Sequence, residues 1–218
     1  MIGTFDQPQQ PRVLITDDCH PLLIEKLEAR GFAVDFEPEI TAEATAQRIG
    51  GYEGLIINSK IRVDETFLQK AEKLRFVGRL GSGMEVVDRP AAAAKGVKVV
   101  SSPEGNRNAV AEQALGMLLA LANNLLRADR EVRQKTWLRE KNRGWELMGK
   151  TIGIIGFGHT GSWFARKLAG FEVQVLAFDK YLPPGFAAGM PHVREASMDE
   201  VFEKAEIISL PLPLTAET

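Results

Sequence analysis

Short apolar runs alternate along this chain with stretches whose apolar residues recur at helical spacing. Residues 12–16 (RVLIT), 33–36, 54–58 (GLIIN), 75–78 (RFVG) and 97–100 (VKVV) are brief and rich in β-branched side chains, which predicts strands. Between them, residues 21–30, 41–49, 65–71 and 87–95 place apolar side chains three and four positions apart, which predicts helices with one buried face. Alternation of the two predicts a parallel sheet with helices on both faces.

The predicted fold class is thus α/β, with a flavodoxin-like domain over residues 12–105. A long helical pattern follows from 108 to about 135, its apolar stripe running through Val110, Ala114, Leu118, Leu121 and Leu125. At 1.5 Å per residue a helix of that length spans roughly 40 Å, enough to pass from one domain to the next. Its polar end and the basic connector at 139–143, flanked by Trp137 and Trp145, complete a linking segment over 106–149. So broad an apolar stripe is hard to bury within one domain, so packing against a second subunit is expected, and with it a homodimer.

Residues 151–179 (TIGIIGFGHTGSWFARKLAGFEVQVLAFD) carry the strongest chemical signal. An apolar strand runs into three glycines at dinucleotide spacing, then an amphipathic helix, a second apolar strand and a carboxylate. Gly156 permits the turn out of the strand, Gly158 lets backbone approach a pyrophosphate, and Gly161 lets helix pack on strand. Phe157 lies within this loop. His159 and Thr160 open the helix, where unpaired N–H groups and the positive end of the dipole attract a diphosphate. Asp179 ends the second strand, where an acid accepts hydrogen bonds from the adenosine ribose and repels a 2′-phosphate. NAD is therefore favoured over NADP, although Lys180 next to it softens the preference. An ordinary α/β turn or a nucleoside-binding methyltransferase would share the glycines but not need the whole arrangement. Residues 150–218 are expected to form an incomplete Rossmann domain, since a six-stranded one needs about three strands beyond the one predicted within 199–210.

Composition narrows the partners. Of 218 residues 44% are hydrophobic and 26% charged, with a net charge of −2, so no basic field points to nucleic acid or an anionic membrane. Cys19 is the only cysteine, which excludes a disulfide framework and a cysteine-rich metal site and fits a cytoplasmic setting. Residues 1–11 read as a disordered polar leader with no signal-peptide pattern. No apolar stretch is long enough for a membrane span. No metal site is predicted, and the expected partner is a small molecule.

Several segments together resemble the D-isomer-specific 2-hydroxyacid dehydrogenase family, in particular its D-3-phosphoglycerate dehydrogenase branch. They are GRLGSGMEVVD at 78–88, NRNAVAEQALGMLL at 106–119, GKTIGIIGFGHTG at 149–161 and LPLPLTAET at 210–218. The resemblance implies hydride transfer between NAD and C2 of a 2-hydroxyacid or 2-oxoacid, with 3-phosphoglycerate or a similar acid as substrate. It places Asn58, Ser59 and Lys60 at the substrate, and Gly81, Ser82 and Gly83 as amide donors to its carboxylate; free amides at a strand end suit an anion on physical grounds too. Lys60 is the residue expected to meet a substrate phosphate, as a point charge. Exposed surface charge is the alternative reading for Lys60. Pro211 and Leu212 are expected to close the far side of the cofactor.

The chain departs from that family in two respects. Pro211 stands where the family's strand-end pattern usually has histidine. The family's carboxylate-fixing arginine, proton-exchanging histidine and its acid partner correspond to positions after 218, so no catalytic residue is expected in this chain and the fragment alone is expected to be inactive. A non-catalytic NAD-sensing or corepressor-like interaction protein on the same scaffold is the alternative.

Overall fold

The computed structural model describes residues 10–213, 215 and 218; the predicted leader lies outside the described residues except for its last two positions. Internal contacts divide the chain into two compact units, Met1–Pro103 and Glu104–Thr218.

In the first unit a five-stranded parallel sheet is built from β1 (Arg12–Ile15), β2 (Ala33–Phe36), β3 (Gly54–Ile57), β4 (Phe76–Arg79) and β5 (Lys98–Ser101), in the order β2-β1-β3-β4-β5. Helices α1 (Pro21–Glu28), α2 (Ala42–Arg48), α3 (Glu65–Lys70) and α4 (Arg89–Ala94) connect them. Side chains alternate across the sheet as strand geometry demands. Leu14, Leu55, Ile57 and Val77 pack with Phe67 and Leu68 of α3 on one face, whereas Val13, Ile15 and Ile56 meet Leu23, Ile24 and Leu27 of α1 on the other. Burial on both faces explains why these strands read as unbroken apolar runs. The chain order reverses between β1 and β3, so the loops after those strands flank a crevice at their C-terminal ends.

A polar network secures the β2 edge of this sheet. The buried Tyr52 hydroxyl donates to Asp35 Oδ2 at 2.7 Å and accepts from Arg48 at 3.0 Å, while Arg12 pairs with Asp35 at 2.5 Å. Burial pushes the Asp35 carboxyl up, but the Tyr52 hydroxyl and Arg12 together outweigh it and hold it below its ordinary range. A depressed carboxyl stabilises the fold above its unfolded pKa, and that contribution is lost as pH falls through the folded value. Tyr52→Phe should therefore cost about 1–2 kcal/mol in urea unfolding at pH 7, with a smaller difference from the parent in acid. An unchanged midpoint at pH 7 would show the network to be inert.

The second unit begins with α5 (Pro103–Ala122) and α6 (Leu125–Arg133). The single helix predicted over 108–135 is thus two helices, bent by 63° at the break. Asn124 takes a left-handed conformation (φ 52°) and its side chain donates to the Arg143 carbonyl at 3.3 Å. The connector supplies the rest of the stop, with Trp145 N–H capping the Ala122 carbonyl at 3.1 Å. Gly144 lies so close to that carbonyl that a Cβ there would approach it to 2.6 Å. The apolar period masked the break because Leu125 and Leu126 continue it in sequence, yet they are 52% and 78% exposed.

A four-stranded parallel sheet follows, comprising β6 (Thr151–Ile155), β7 (Gln174–Phe178), β8 (Val193–Glu195) and β9 (Ile207–Ser209) in the order β8-β7-β6-β9. Helix α7 (His159–Leu168) crosses from β6 to β7, and α8 (Met198–Lys204) leads to β9. Ile152, Ile154, Val175 and Ala177 pack on α7 together with Ala111 and Leu118 of α5, and Ile155 and Leu176 pack with Val201 of α8 on the opposite face. Strand β8 has no counterpart in the sequence reading: at three residues, with a central arginine, it is too short for a period to register. Among the described residues no single helix is long and apolar enough to cross a membrane, and no cluster of three His, Cys, Asp or Glu residues is placed to hold a metal.

Candidate functional site

Strand β6 runs out into Gly156, whose φ of +99° suits glycine alone among common residues. Its N–H still extends the ladder to the Phe178 carbonyl at 2.8 Å. The chain then turns through Phe157, which is buried against Phe186, and Gly158, the N-cap of α7. Helices α3, α4 and α8 receive a side-chain cap from Asp64, Asp88 and Ser197, whereas α7 has none. The N–H groups of its first turn, at His159 and Thr160, are thus left without a side-chain acceptor where the dipole is most positive.

Crowding differs sharply among the three glycines. A Cβ on Gly161 would be driven into the Gly156 carbonyl, so helix and turn meet at backbone distance. One on Gly156 would come within 2.6 Å of Leu212 Cδ2 and 3.0 Å of the Pro211 carbonyl, the segment folded over the turn after β9. One on Gly158 would meet nothing within 4 Å. Two glycines are consumed by packing and the third faces open space, which is the division of labour a diphosphate cradle requires.

Asp179, half-buried at the end of β7, closes the loop from the other side. Its Oδ2 accepts the Phe157 N–H at 2.7 Å, and Oδ1 accepts those of Tyr181 and Leu182 at 2.9 and 3.2 Å. A carboxylate offers about four acceptor sites, so roughly one remains for a ribose hydroxyl. Beyond it lies a recess of about 390 Å³ lined by Phe178, Asp179, Leu182, Phe186, Glu195 and Glu200, among others. Glu195 accepts the N–H groups of Gly185 and Ala187, both at 3.0 Å, and so shapes the recess wall. Arg194, and then Lys204, bring the Glu200 carboxyl down to about 2, so it is ionised at neutral pH. Lys180 lies over the Tyr181 ring at 5.7 Å. Opposite the loop, His159 Nε2 is 3.7 Å from Glu104 Oε1 in the first turn of α5. Glu112 of α5 pairs with Lys167 of α7 at 3.0 Å, and Lys167, with Asn108, keeps the Glu112 carboxyl below its usual range.

The first unit presents a second group of loops. Asn58, Ser59 and Lys60 follow β3 and are exposed. Asn58 N–H donates to Asp17 Oδ2 at 2.9 Å, so it is not among the free amides, and Lys60 Nζ donates to the Pro38 carbonyl. After β4, the N–H groups of Gly81, Ser82 and Gly83 donate to no acceptor among the described residues. The Arg79 guanidinium folds back over Gly81, where a Cβ would collide with it, and its Nε is buried without a partner.

Residues 115–218 match the model for the NAD-binding domain of D-isomer-specific 2-hydroxyacid dehydrogenases. Over those residues the chain carries that family's NAD-binding domain. It is 33% identical over 207 residues to the D-3-phosphoglycerate dehydrogenase of Methanocaldococcus jannaschii, covering 95% of this chain and 39% of the relative. Against the Mycobacterium bovis D-3-phosphoglycerate dehydrogenase it is 39% identical over 166 residues, 76% of this chain and 31% of that one. Among solved structures, the apo form of Escherichia coli D-lactate dehydrogenase superposes with a TM-score of 0.72 at 30% identity, covering 95% of this chain and 66% of that chain. The chain thus spans well under half the length of the curated relatives it matches.

The match to an NAD-binding domain makes NAD the cofactor of the loop from Gly156 to Gly161, and the free helix terminus, the open face at Gly158 and the placement of Asp179 fit it. These relatives are named as dehydrogenases. The structure brings Gly156, Phe157, Gly158, His159, Thr160, Gly161, Asp179, Pro211 and Leu212 to the C-terminal ends of β6, β7 and β9, with Lys180 directly after Asp179. His192 is half-buried, with Nε2 2.8 Å from the Ala165 carbonyl. His20 caps α1 by accepting the Leu22 N–H. Three residues with positions in these loops escaped the sequence reading. Arg79 stood inside the quoted GRLGSG motif but was passed over for its glycines, Asp17 lies in the loop after β1 beside the topological reversal, and Glu195 belongs to the unrecognised β8.

Proposed function

We propose that the protein acts in NAD-dependent interconversion of a 2-hydroxyacid and its 2-oxoacid, with 3-phosphoglycerate or a close analogue as substrate. The observation that carries this reading is the run of three unpaired N–H groups at Gly81, Ser82 and Gly83 beside the Arg79 guanidinium, a concentrated anion receptor at a strand end. The amides suit a carboxylate, and Arg79 adds a cation capable of bidentate contact. Bound NAD supplies the hydride acceptor. This chain's part is to hold the diphosphate over the α7 terminus, fix the ribose by Asp179, and orient the acid through the loops after β3 and β4. Asp17 holds the backbone at Asn58, so Ser59 and Lys60 are presented from a pinned loop. Because Lys60 is already engaged by Pro38, Arg79 is the stronger candidate for the substrate phosphate.

Calorimetric titration of 3-phosphoglycerate and glycerate into the chain tests this assignment. Arg79→Ala should weaken the phosphorylated acid about tenfold or more, and Lys60→Ala by less, since a charge-assisted hydrogen bond contributes about 1.5–3 kcal/mol. Equal losses for both acids would remove the phosphate assignment. We further infer a cytoplasmic homodimer formed through α5, α6 and the connector, where Leu121, Leu126 and Trp137 are more than 70% exposed. A monomeric mass by light scattering would contradict the dimer.

A further inference from the structure

The opposite end of the first sheet's strands carries a recess of about 450 Å³ that the reaction proposed above does not use. It lies at the N-terminal ends of β3, β4 and β5, away from the loops that follow those strands. Phe32, Phe76 and Leu74 give it an apolar floor, the two rings meeting edge to face at 5.9 Å. Arg75, Lys95 and Lys98 stand around it, opposed by Glu53 alone.

These charges are not balanced within the protein. Glu53 already accepts the Arg12 backbone N–H at 2.7 Å. Lys95 donates to the Leu68 carbonyl, which satisfies a proton but not the charge. Arg75 and Lys98 have no hydrogen-bonding or ion-pair partner for their side chains among the described residues, whereas Arg12, Arg48, Lys150, Lys167, Arg194 and Lys204 all have carboxylate partners. Arg75 and Lys98 thus line a concave surface without a carboxylate partner among the described residues, in a chain whose net charge is −2. Neighbouring like charges repel, and an anion seated among them relieves that repulsion. The volume falls in the range of small-molecule sites, and an apolar floor with few convergent polar groups is their usual composition.

We propose that this recess is a second ligand site, specific for an organic phosphate with a compact apolar body. The body lies on Phe32 and Phe76, while the phosphate takes Arg75 in a forked contact and Lys98 as a point charge. Both β3 and β4 run from this recess to the loops bearing Lys60 and Gly81, so a ligand here contacts the same two strands that present the proposed substrate site.

Calorimetry with phenyl phosphate as the probe, in the presence of saturating NAD, tests the site. Saturable sub-millimolar binding is expected, weakened at least tenfold by Arg75→Ala and by Lys98→Glu and changed less than twofold by Arg79→Ala. Inorganic phosphate should bind at least tenfold more weakly, because it leaves the apolar floor uncovered. Both recess positions are exposed, and an unchanged thermal midpoint in each variant confirms that folding is intact; Lys98→Ala replaces any variant that fails this check. Absence of saturable binding, insensitivity to the recess substitutions, loss in Arg79→Ala, or equal binding of inorganic phosphate would each overturn the proposal.

Discussion

Replacing Gly161 by Val should abolish the cofactor site while leaving the first unit intact. The Cβ of any larger residue is driven into the Gly156 carbonyl, and the obstacle is backbone rather than a side chain that can swing away. Helix α7 must then move off the turn, and overpacking of this kind costs about 1–3 kcal/mol of stability. The effect on binding is larger in kind, because the same displacement carries away the unpaired N–H groups of the α7 first turn. Losing two charge-assisted contacts to the diphosphate corresponds to roughly 3 kcal/mol or more, a fall of about 100-fold in NAD affinity. Calorimetric titration with NAD reads the loss. The first unit's contribution to thermal unfolding should be unchanged, and retention of NAD affinity within threefold would show that close packing at Gly161 is not required.

Asp179→Ala should produce the second large effect, through two routes that can be separated. The variant removes an acceptor for the ribose and also leaves the Phe157, Tyr181 and Leu182 N–H groups without their partner. Together these should lower NAD affinity by about 10- to 100-fold, since a hydrogen bond to a charged group contributes about 1.5–3 kcal/mol. NADP should lose far less, because the carboxylate that repels its 2′-phosphate is gone and Lys180 remains nearby. Asp179→Asn keeps one acceptor oxygen but removes the charge. If the charge sets the preference, the NAD-to-NADP ratio in Asn will match that in Ala; if the braced loop sets it, Asn will stay close to the parent. Equal NAD affinity in Asp179→Ala and the parent would show that this carboxylate takes no part in binding.

Legibility of the chain followed the strength of its local physics. Strands such as Leu55–Ile57 and Ile152–Ile155 are buried on both faces, so their apolar runs need no context to be recognised. The glycine loop was legible for a related reason: backbone conformation and close approach restrict Gly156 and Gly161 to one residue type, and that restriction is written in the sequence. The break at Asn124 was not, because it depends on a contact from Arg143 and on Gly144, some twenty positions away, while Leu125 and Leu126 carry the apolar period past it. Strand β8 was hidden by its length. Arg79 was hidden differently, since its proximity to the free amides arises from the side chain folding back over Gly81, a matter of rotamer rather than of spacing. Lys60 shows the converse case, a charge assigned to a ligand from its loop position that the fold also uses to hold the Pro38 carbonyl.

Direct calorimetric titration of NAD and, separately, NADP into the unmodified 218-residue chain tests the central claim most directly. Saturable NAD binding with at least tenfold weaker NADP binding is the predicted result. No saturable heat with NAD, or equal affinity for the two, would contradict the assignment of the loop from Gly156 to Gly161 and Asp179 as an NAD site.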